Sequence, residues 1–383
     1  MRKLVHETRA FHEADIRRLY PGTRTYTYLD NAAVGLVSTN VCDAMATITE
    51  AHRDFGVAAA NSWGPLFADV RTRAARLVSG SSSRIALTQN TSTGIALVAN
   101  GVNWNEGDNI VLPTGEFPSN SYPWHMLRNR GVQIRSVPMT NGHVDLPALL
   151  EAVDSRTRVV TMSAVQYSSG YRYPLEEIGG ALRSHSALFV VDGTQAVGAM
   201  RIDVNAAYID VLAVSAHKWM LGPFGIGFVH LSDNAFDALR PSTTGWMSVK
   251  DPFAFTAEPE LADDGRRFES GTEIAAGVAG LGATLDLVET IGAEQVESIV
   301  LDRVALLRDM LKTRGFRLLF DYPPARRSGI VLAVSEREES ATVHQRLLRE
   351  QVLCSLRGGG IRFSPHYFTS DGDLEHASKV ASR

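Results

Sequence analysis

The chain has 383 residues, more than one compact core usually holds, so two domains or one large sheet domain with a smaller companion are expected. With 44% hydrophobic residues, 21% charged residues and a formal net charge of -4, it has an ordinary globular composition and lacks the basic footprint of a nucleic-acid partner. No apolar stretch is long enough to span a membrane, the first residues carry no apolar signal core, and Cys42 and Cys354 alone make no disulfide framework, so the expected location is the cytoplasm.

After a charged, helical start, YTYLDNAAVGLVS joins a short strand-like run to an Asn-Ala-Ala turn, in which Asn31 alone reads as a cap. Helical segments follow at 41–55 and 68–79. RIALTQNTSTGIALVANGV (84–102) reads as strand, loop and helix. Thr91, Ser92 and Thr93 fall where that helix begins, where hydroxyls and free N–H groups serve either as N-caps or as an anion site. DNIVLP is a strand leading into EFPSN; VQIRSVPM and TRVVTMSAV are further strands, separated by the helix LPALLEAV.

The stretch 188–231 organises the rest. Its apolar runs LFVVD and VLAVS read as buried strands of a mostly parallel sheet. Ligands of open α/β sheets bind beyond the carboxyl ends of the strands, and Asp192, Gln195, Ser215, His217 and Lys218 all fall there. Taken singly, such an aspartate is a turn or cap residue and such a lysine a surface residue. Buried together they need partners, and a cofactor with a basic ring nitrogen and an aldehyde satisfies both. The glycines of GPFGIG make a poor dinucleotide fingerprint, because a strand and not a helix follows them. No His/Cys/Asp/Glu grouping has metal-ligand spacing.

RRFESGTEIAAGVAGLGATLDLVETIG (266–292) opens with a turn, where Thr272 is a good N-cap, and continues as a helix rich in small residues. From 293 a long charged helix and interleaved strands and helices read as a smaller α/β domain. The expected division is a large domain over 20–265 and a small one over 266–383, with residues 1–19 packing on the latter. In the last strand Arg362 offers a fork that suits a carboxylate, although an isolated strand arginine is usually on the surface.

DGTQAVG (192–198), SAHKW (215–219), LDNAA (29–33) and RFSPHYF (362–368) together resemble segments of the class V aminotransferase family, which includes cysteine desulfurases, selenocysteine lyases, kynureninase and isopenicillin N epimerase. The resemblance implies the fold type I architecture of enzymes dependent on pyridoxal 5'-phosphate (PLP), and a homodimer that shares its active site. It implies that Lys218 forms the Schiff base, that Asp192 keeps the pyridine nitrogen protonated and that Gln195 lies beside the ring hydroxyl. Thr91, Ser92, Ser215 and His217 would contact the phosphate, and Thr272 the phosphate of the neighbouring subunit. Trp246 either lines that interface or fills the core. Arg362 would hold the substrate α-carboxylate, approached also by the backbone near Asn31.

Two positions depart from the desulfurase pattern. Where a histidine stacks on the ring there, this chain has Phe117, which either stacks without moving protons or is a core residue. Where an asparagine approaches the ring hydroxyl there, this chain has Tyr167, either a donor or proton carrier or an ordinary half-buried tyrosine. Desulfurases also need a nucleophilic cysteine on a loop before the arginine. VLCSLRGGGIRF leaves almost no loop, and Cys354 reads as a small buried hydrophobe. The expected activity is therefore PLP-dependent C–S lysis of cysteine or a cysteine-conjugated small molecule, with Lys218 moving the α-proton. Transamination or epimerisation is the alternative, and a PLP-binding scaffold without catalysis the third reading.

Overall fold

The computed structural model describes residues 13–383; the expected packing of residues 1–12 lies outside them. Seven strands form one sheet in the order Ile85–Thr88, Gly227–Leu231, Val211–Ser215, Leu188–Asp192, Thr157–Ser163, Asn109–Pro113, Gln133–Val137. Gly227–Leu231 runs antiparallel to both neighbours, and the remaining paired neighbours run parallel, so the sheet is mostly parallel as expected.

The continuous apolar runs have a plain cause. Successive side chains point to opposite faces, and both faces are covered. Phe189 and Val191 enter one core while Leu188 and Val190 enter the other. A strand buried on both sides leaves no position for an alternating polar residue.

The helix Ala275–Ile291, expected to open the smaller domain, packs instead on Thr39–Phe55 and Gly64–Leu77. Its Val278, Leu281 and Leu285 are buried in the core of the large sheet. The chain turns at Gly292 (φ 92°) into Ala293–Thr313. A second, antiparallel sheet follows, in the order Phe316–Leu318, Val331–Ser335, Gly360–Phe363, Ser355–Arg357, with its own core around Val304, Leu307, Phe363 and Leu374. We propose Gly292 as the boundary between the domains.

The start of the described chain is stitched to the end. Thr27–Tyr28 pairs in parallel with Val352–Leu353, and Leu29 is buried in the core of the second sheet. Arg17 bonds the Asp373 carboxylate at 2.5 Å and the Phe368 carbonyl at 2.9 Å. Among the described residues no helix is long and apolar enough to cross a membrane.

Candidate active site

A cavity of about 350 Å³ opens where the parallel strands end, closed on its other side by the turn between Ser355–Arg357 and Gly360–Phe363. Thr91, Ser92, Phe117, Tyr167, Asp192, Gln195, Ser215, His217, Lys218 and Arg362 line it. Asn90, Ser119, Ser163, Thr194 and Arg357 also line it, and the sequence reading did not single them out. A wider groove of about 710 Å³ lies at the opposite strand ends. Its Arg84 is already paired with Asp233 at 2.7 Å, and burial holds the His230 imidazole neutral, with a pKa lowered to about 4.

Lys218 is held from behind by two motif glycines. Gly35 donates its N–H to the His217 carbonyl at 2.8 Å, and a Cβ there would lie 2.2 Å from the Lys218 carbonyl oxygen. Gly198 (φ +99°) presses on the next turn, where a Cβ would lie 2.4 Å from the Trp219 carbonyl oxygen. Any side chain at Gly35 displaces the lysine backbone, and any side chain at Gly198 displaces the Trp219–Met220 backbone just after it. Burial pushes the Lys218 amine below its ordinary pKa, and Arg362 and Arg357 push the same way while Asp192 opposes them.

Asp192 is buried at the end of its strand and accepts from the Thr194 N–H at 2.9 Å. Burial raises its pKa, and Thr194 and the charge of Lys218 oppose that rise. A cationic ring nitrogen would favour the carboxylate form. Gln195 is braced at both ends of its amide, accepting from the Trp219 indole N–H at 2.7 Å and donating to the Ala32 carbonyl at 2.9 Å.

At the start of Thr91–Gly101 the expected phosphate residues divide. Thr91 turns inward: its N–H donates to Ser215 Oγ at 2.8 Å, and its hydroxyl bonds both Ser215 Oγ and Thr194 Oγ1. Ser215 thereby fixes the helix start to the strand end. Asn90 caps the helix through the Thr93 N–H at 3.0 Å, and the exposed Ser92 reaches Ser119 at 2.7 Å. Hydroxyls and a helix N-terminus at one corner suit an anion. His217 stacks on Phe224 at 5.0 Å, and burial with the neighbouring Lys218 keeps its imidazole neutral.

The far wall carries the arginines. Arg362 is 2% exposed; it donates to the Tyr167 carbonyl at 3.1 Å and faces Asp30 at 3.5 Å, while its Nε has no partner. A buried guanidinium N–H left unpaired is costly, and a ligand carboxylate would satisfy it. Asp30, just before the predicted Asn31, also takes the Ser355 hydroxyl at 2.7 Å and 2.6 Å. Asn31 lies behind the cavity lining and donates its amide to the Ser364 carbonyl at 2.8 Å, so its side chain braces the arginine strand. The signal for Arg357 was present in sequence: RGGGIR places two arginines on either side of a glycine turn.

Phe117 is 38% exposed, which answers the core alternative; Lys218 Nζ lies 4.9 Å from its ring centroid and Tyr167 packs edge-on at 5.3 Å. Tyr167 is half-buried and offers its carbonyl to Arg362. Thr272 is not brought to this cavity by its own chain; it lines a separate one of about 460 Å³. Trp246 is 45% exposed rather than in the core. Cys354 is buried, and burial drives its thiol pKa up. Among the described residues no group of acidic, histidine and cysteine side chains is arranged to hold a metal.

Comparison with known proteins bears on the same stretch. The family described as Aminotransferase class-V matches residues 27–364. A probable cysteine desulfurase of Methanothermobacter thermautotrophicus is 34% identical over 293 residues, spanning 74% of this chain and 72% of that protein. A cysteine desulfurase of Salmonella newport is 30% identical over 321 residues, spanning 79% and 76%. The cystine C–S lyase C-DES, solved with its product cysteine persulfide, superposes with a TM-score of 0.87 at 26% identity over 94% of this chain and 99% of that one. A lysine variant of C-DES, solved with glycine linked covalently to its PLP cofactor, superposes with a TM-score of 0.88 at 25% identity over 95% and 98%.

Proposed function

This chain belongs to the aminotransferase class-V family of PLP-dependent enzymes, and on that premise we propose that it is a C–S lyase acting on cysteine or a cysteine-conjugated small molecule. One observation carries the choice of lyase over persulfide-forming desulfurase. Among the described residues no cysteine lines the cavity that holds Lys218, and Cys354 is buried with a thiol disfavoured as thiolate.

The residues present fit the cofactor: a buried carboxyl for the ring nitrogen, a lysine inclined to the neutral amine, an aromatic face and a hydroxyl-rich helix start. Bound PLP supplies the aldehyde for the amine and the electron sink for the α-carbon. Asp192 holds positive charge on the ring nitrogen. Ser92 with the first turn of its helix, Ser215 and His217 receive the phosphate; Thr91 braces that corner. Phe117 would offer the ring an aromatic face but no proton, which leaves acid–base work to Lys218, the residue that would take the α-proton of the substrate. Arg362 holds the α-carboxylate and so fixes which α-substituent faces the lysine. The products balance as thiol, pyruvate and ammonia, with one water consumed.

We infer in addition that two copies of the chain complete each site. Thr272 stands away from its own cavity, and Phe224, Trp246, Phe253, Phe255 and Ile274 leave apolar surface exposed, which supports a partner there. The test is incubation of purified protein with amino acids and cysteine S-conjugates, with products identified by mass. Pyruvate, ammonia and a thiol are expected, and equally from Cys354→Ala. Alanine with a protein-bound persulfide, lost in Cys354→Ala, returns the assignment to desulfurase. Release of a keto acid with the cofactor left as its amine makes the protein a transaminase.

A further inference from the structure

Glu116, immediately before Phe117, is a buried carboxyl that the reaction above leaves unused. Its Oε1 accepts from the Ser163 N–H at 3.0 Å, and its Oε2 contacts Ser163 Oγ at 2.5 Å and Asn120 Nδ2 at 3.2 Å. Ser163 lines the cavity, ends its strand, and is the register partner of Asp192 on the next. Two carboxyls therefore stand at the ring end of the site. The titratable groups coupled to Glu116 are Asp192 and the Tyr173 phenol, whose own hydroxyl is held by the Val144 N–H at 3.0 Å; neither is a cation.

Two like charges in a dry site raise each other's cost, so one carboxyl keeps a proton. Asp192 has a ring nitrogen to pair with and Glu116 has none. Burial accordingly pushes the Glu116 carboxyl up to about 7, with its hydrogen-bond donors opposing and Asp192 reinforcing the rise. The Glu116 proton has one destination. The Ser163 N–H and Asn120 amide are donors, so only Ser163 Oγ accepts it. The Ser163 hydroxyl hydrogen is then turned to the cavity. When Glu116 ionises, that hydrogen turns back to the carboxylate and a lone pair faces the cavity.

We propose that Glu116 is a positioning residue which, through Ser163, sets how firmly the cofactor ring nitrogen keeps its proton; this rests on the PLP reading above. An ionised Glu116 adds negative charge beside Asp192 and turns Ser163 into an acceptor, and both effects favour the protonated ring.

The experiment uses protein loaded with PLP labelled with nitrogen-15 in the ring, followed by NMR from about pH 5.5 to 8.5, a span that brackets the shifted carboxyl. The wild-type ring signal should move with pH, with a midpoint below about 7 because the protonated ring in turn favours the ionised Glu116. Glu116→Gln keeps the shape without the charge, and its signal should stay flat. Ser163→Ala removes one donor to the carboxylate, so its midpoint should move upward. A flat wild-type signal, a Glu116→Gln signal that titrates like wild type, or an unmoved Ser163→Ala midpoint overturns the proposal. Wild-type protein that takes up no PLP fails differently: it overturns the function proposed above and this inference with it.

Discussion

At the end of the cavity proposed for the ring, Ser163, Asp192 and Ser215 each occupy the last position of their own strand, whereas at the other end Arg357 and Arg362, and the Asp30 that faces Arg362, come from opposite ends of the chain. The ring end is rigid by construction. Its polar groups are fixed by neighbours in one sheet, such as Ser163 beside Asp192 and Ser215 against Thr91. The carboxylate end is assembled from segments more than 300 residues apart in the chain, by Asn31 on Ser364 and Asp30 on Ser355 and Arg362. The difference predicts a division of labour: damage at the ring end slows chemistry, and damage at the carboxylate end weakens substrate binding.

Asp192→Asn gives the largest effect. Losing the buried charge proposed to hold the ring nitrogen positive should lower kcat by roughly 10³-fold with KM little changed. Steady-state kinetics read the split, and an equal rise in KM breaks the distinction between the two ends. Arg362→Lys comes next. Lysine keeps the charge but not the planar fork, so KM for the amino acid should rise by roughly 10²-fold while kcat stays within about threefold. A loss confined to kcat would show that Arg362 does not bind the ground-state carboxylate.

The same difference decided what the sequence disclosed. Asp192 and Lys218 were legible because each follows an apolar run buried on both faces, and the carboxyl edge of such a sheet is a general ligand site. Arg362 was legible as a fork in a recognisable segment. Its setting was not, because the pairing of Thr27–Tyr28 with Val352–Leu353 leaves no periodic trace in either short strand. Asn31 illustrates the cost: the backbone near it was expected to approach the substrate carboxylate, and its amide braces Ser364 from behind the cavity. Glu116 was hidden for another reason. Inside EFPSN a glutamate reads as a solvated turn residue, and only the fold buries it under Ser163.

Asn31→Ala tests whether the carboxylate end depends on that brace. The substitution leaves the Ser364 carbonyl only the longer Asn31 N–H contact at 3.4 Å but also removes the unpartnered Asn31 Oδ1, so the net loss of stability should be no more than about 1 kcal/mol in denaturant titration. Because Ser364 lies two residues from Arg362, KM should rise roughly tenfold by misplacement of the fork, with kcat nearly kept. Unchanged KM with the stability lost would make Asn31 a structural residue only.

Arg357→Ala has the smallest expected effect and sharpens the comparison most. Arg357 lines the cavity at a turn formed by Gly358 and Gly359 (φ +56° and +83°), and its own neighbour Leu356 accepts from it at 3.2 Å. It is exposed, and among the described residues no carboxylate forms an ion pair with it. A substrate has only one α-carboxylate, which Arg362 is proposed to receive, so Arg357 would be left to any negative charge at the distal end of a cysteine conjugate. Removal should raise KM about fivefold for a conjugate with a distal carboxylate and leave an S-alkyl cysteine unchanged, since an exposed pair contributes no more than about 1 kcal/mol. The gap between the two substrates should close as ionic strength rises, because salt screens an exposed charge. A fivefold loss for both substrates would instead place Arg357 on the α-carboxylate beside Arg362, and the carboxylate end would then be a two-arginine clamp.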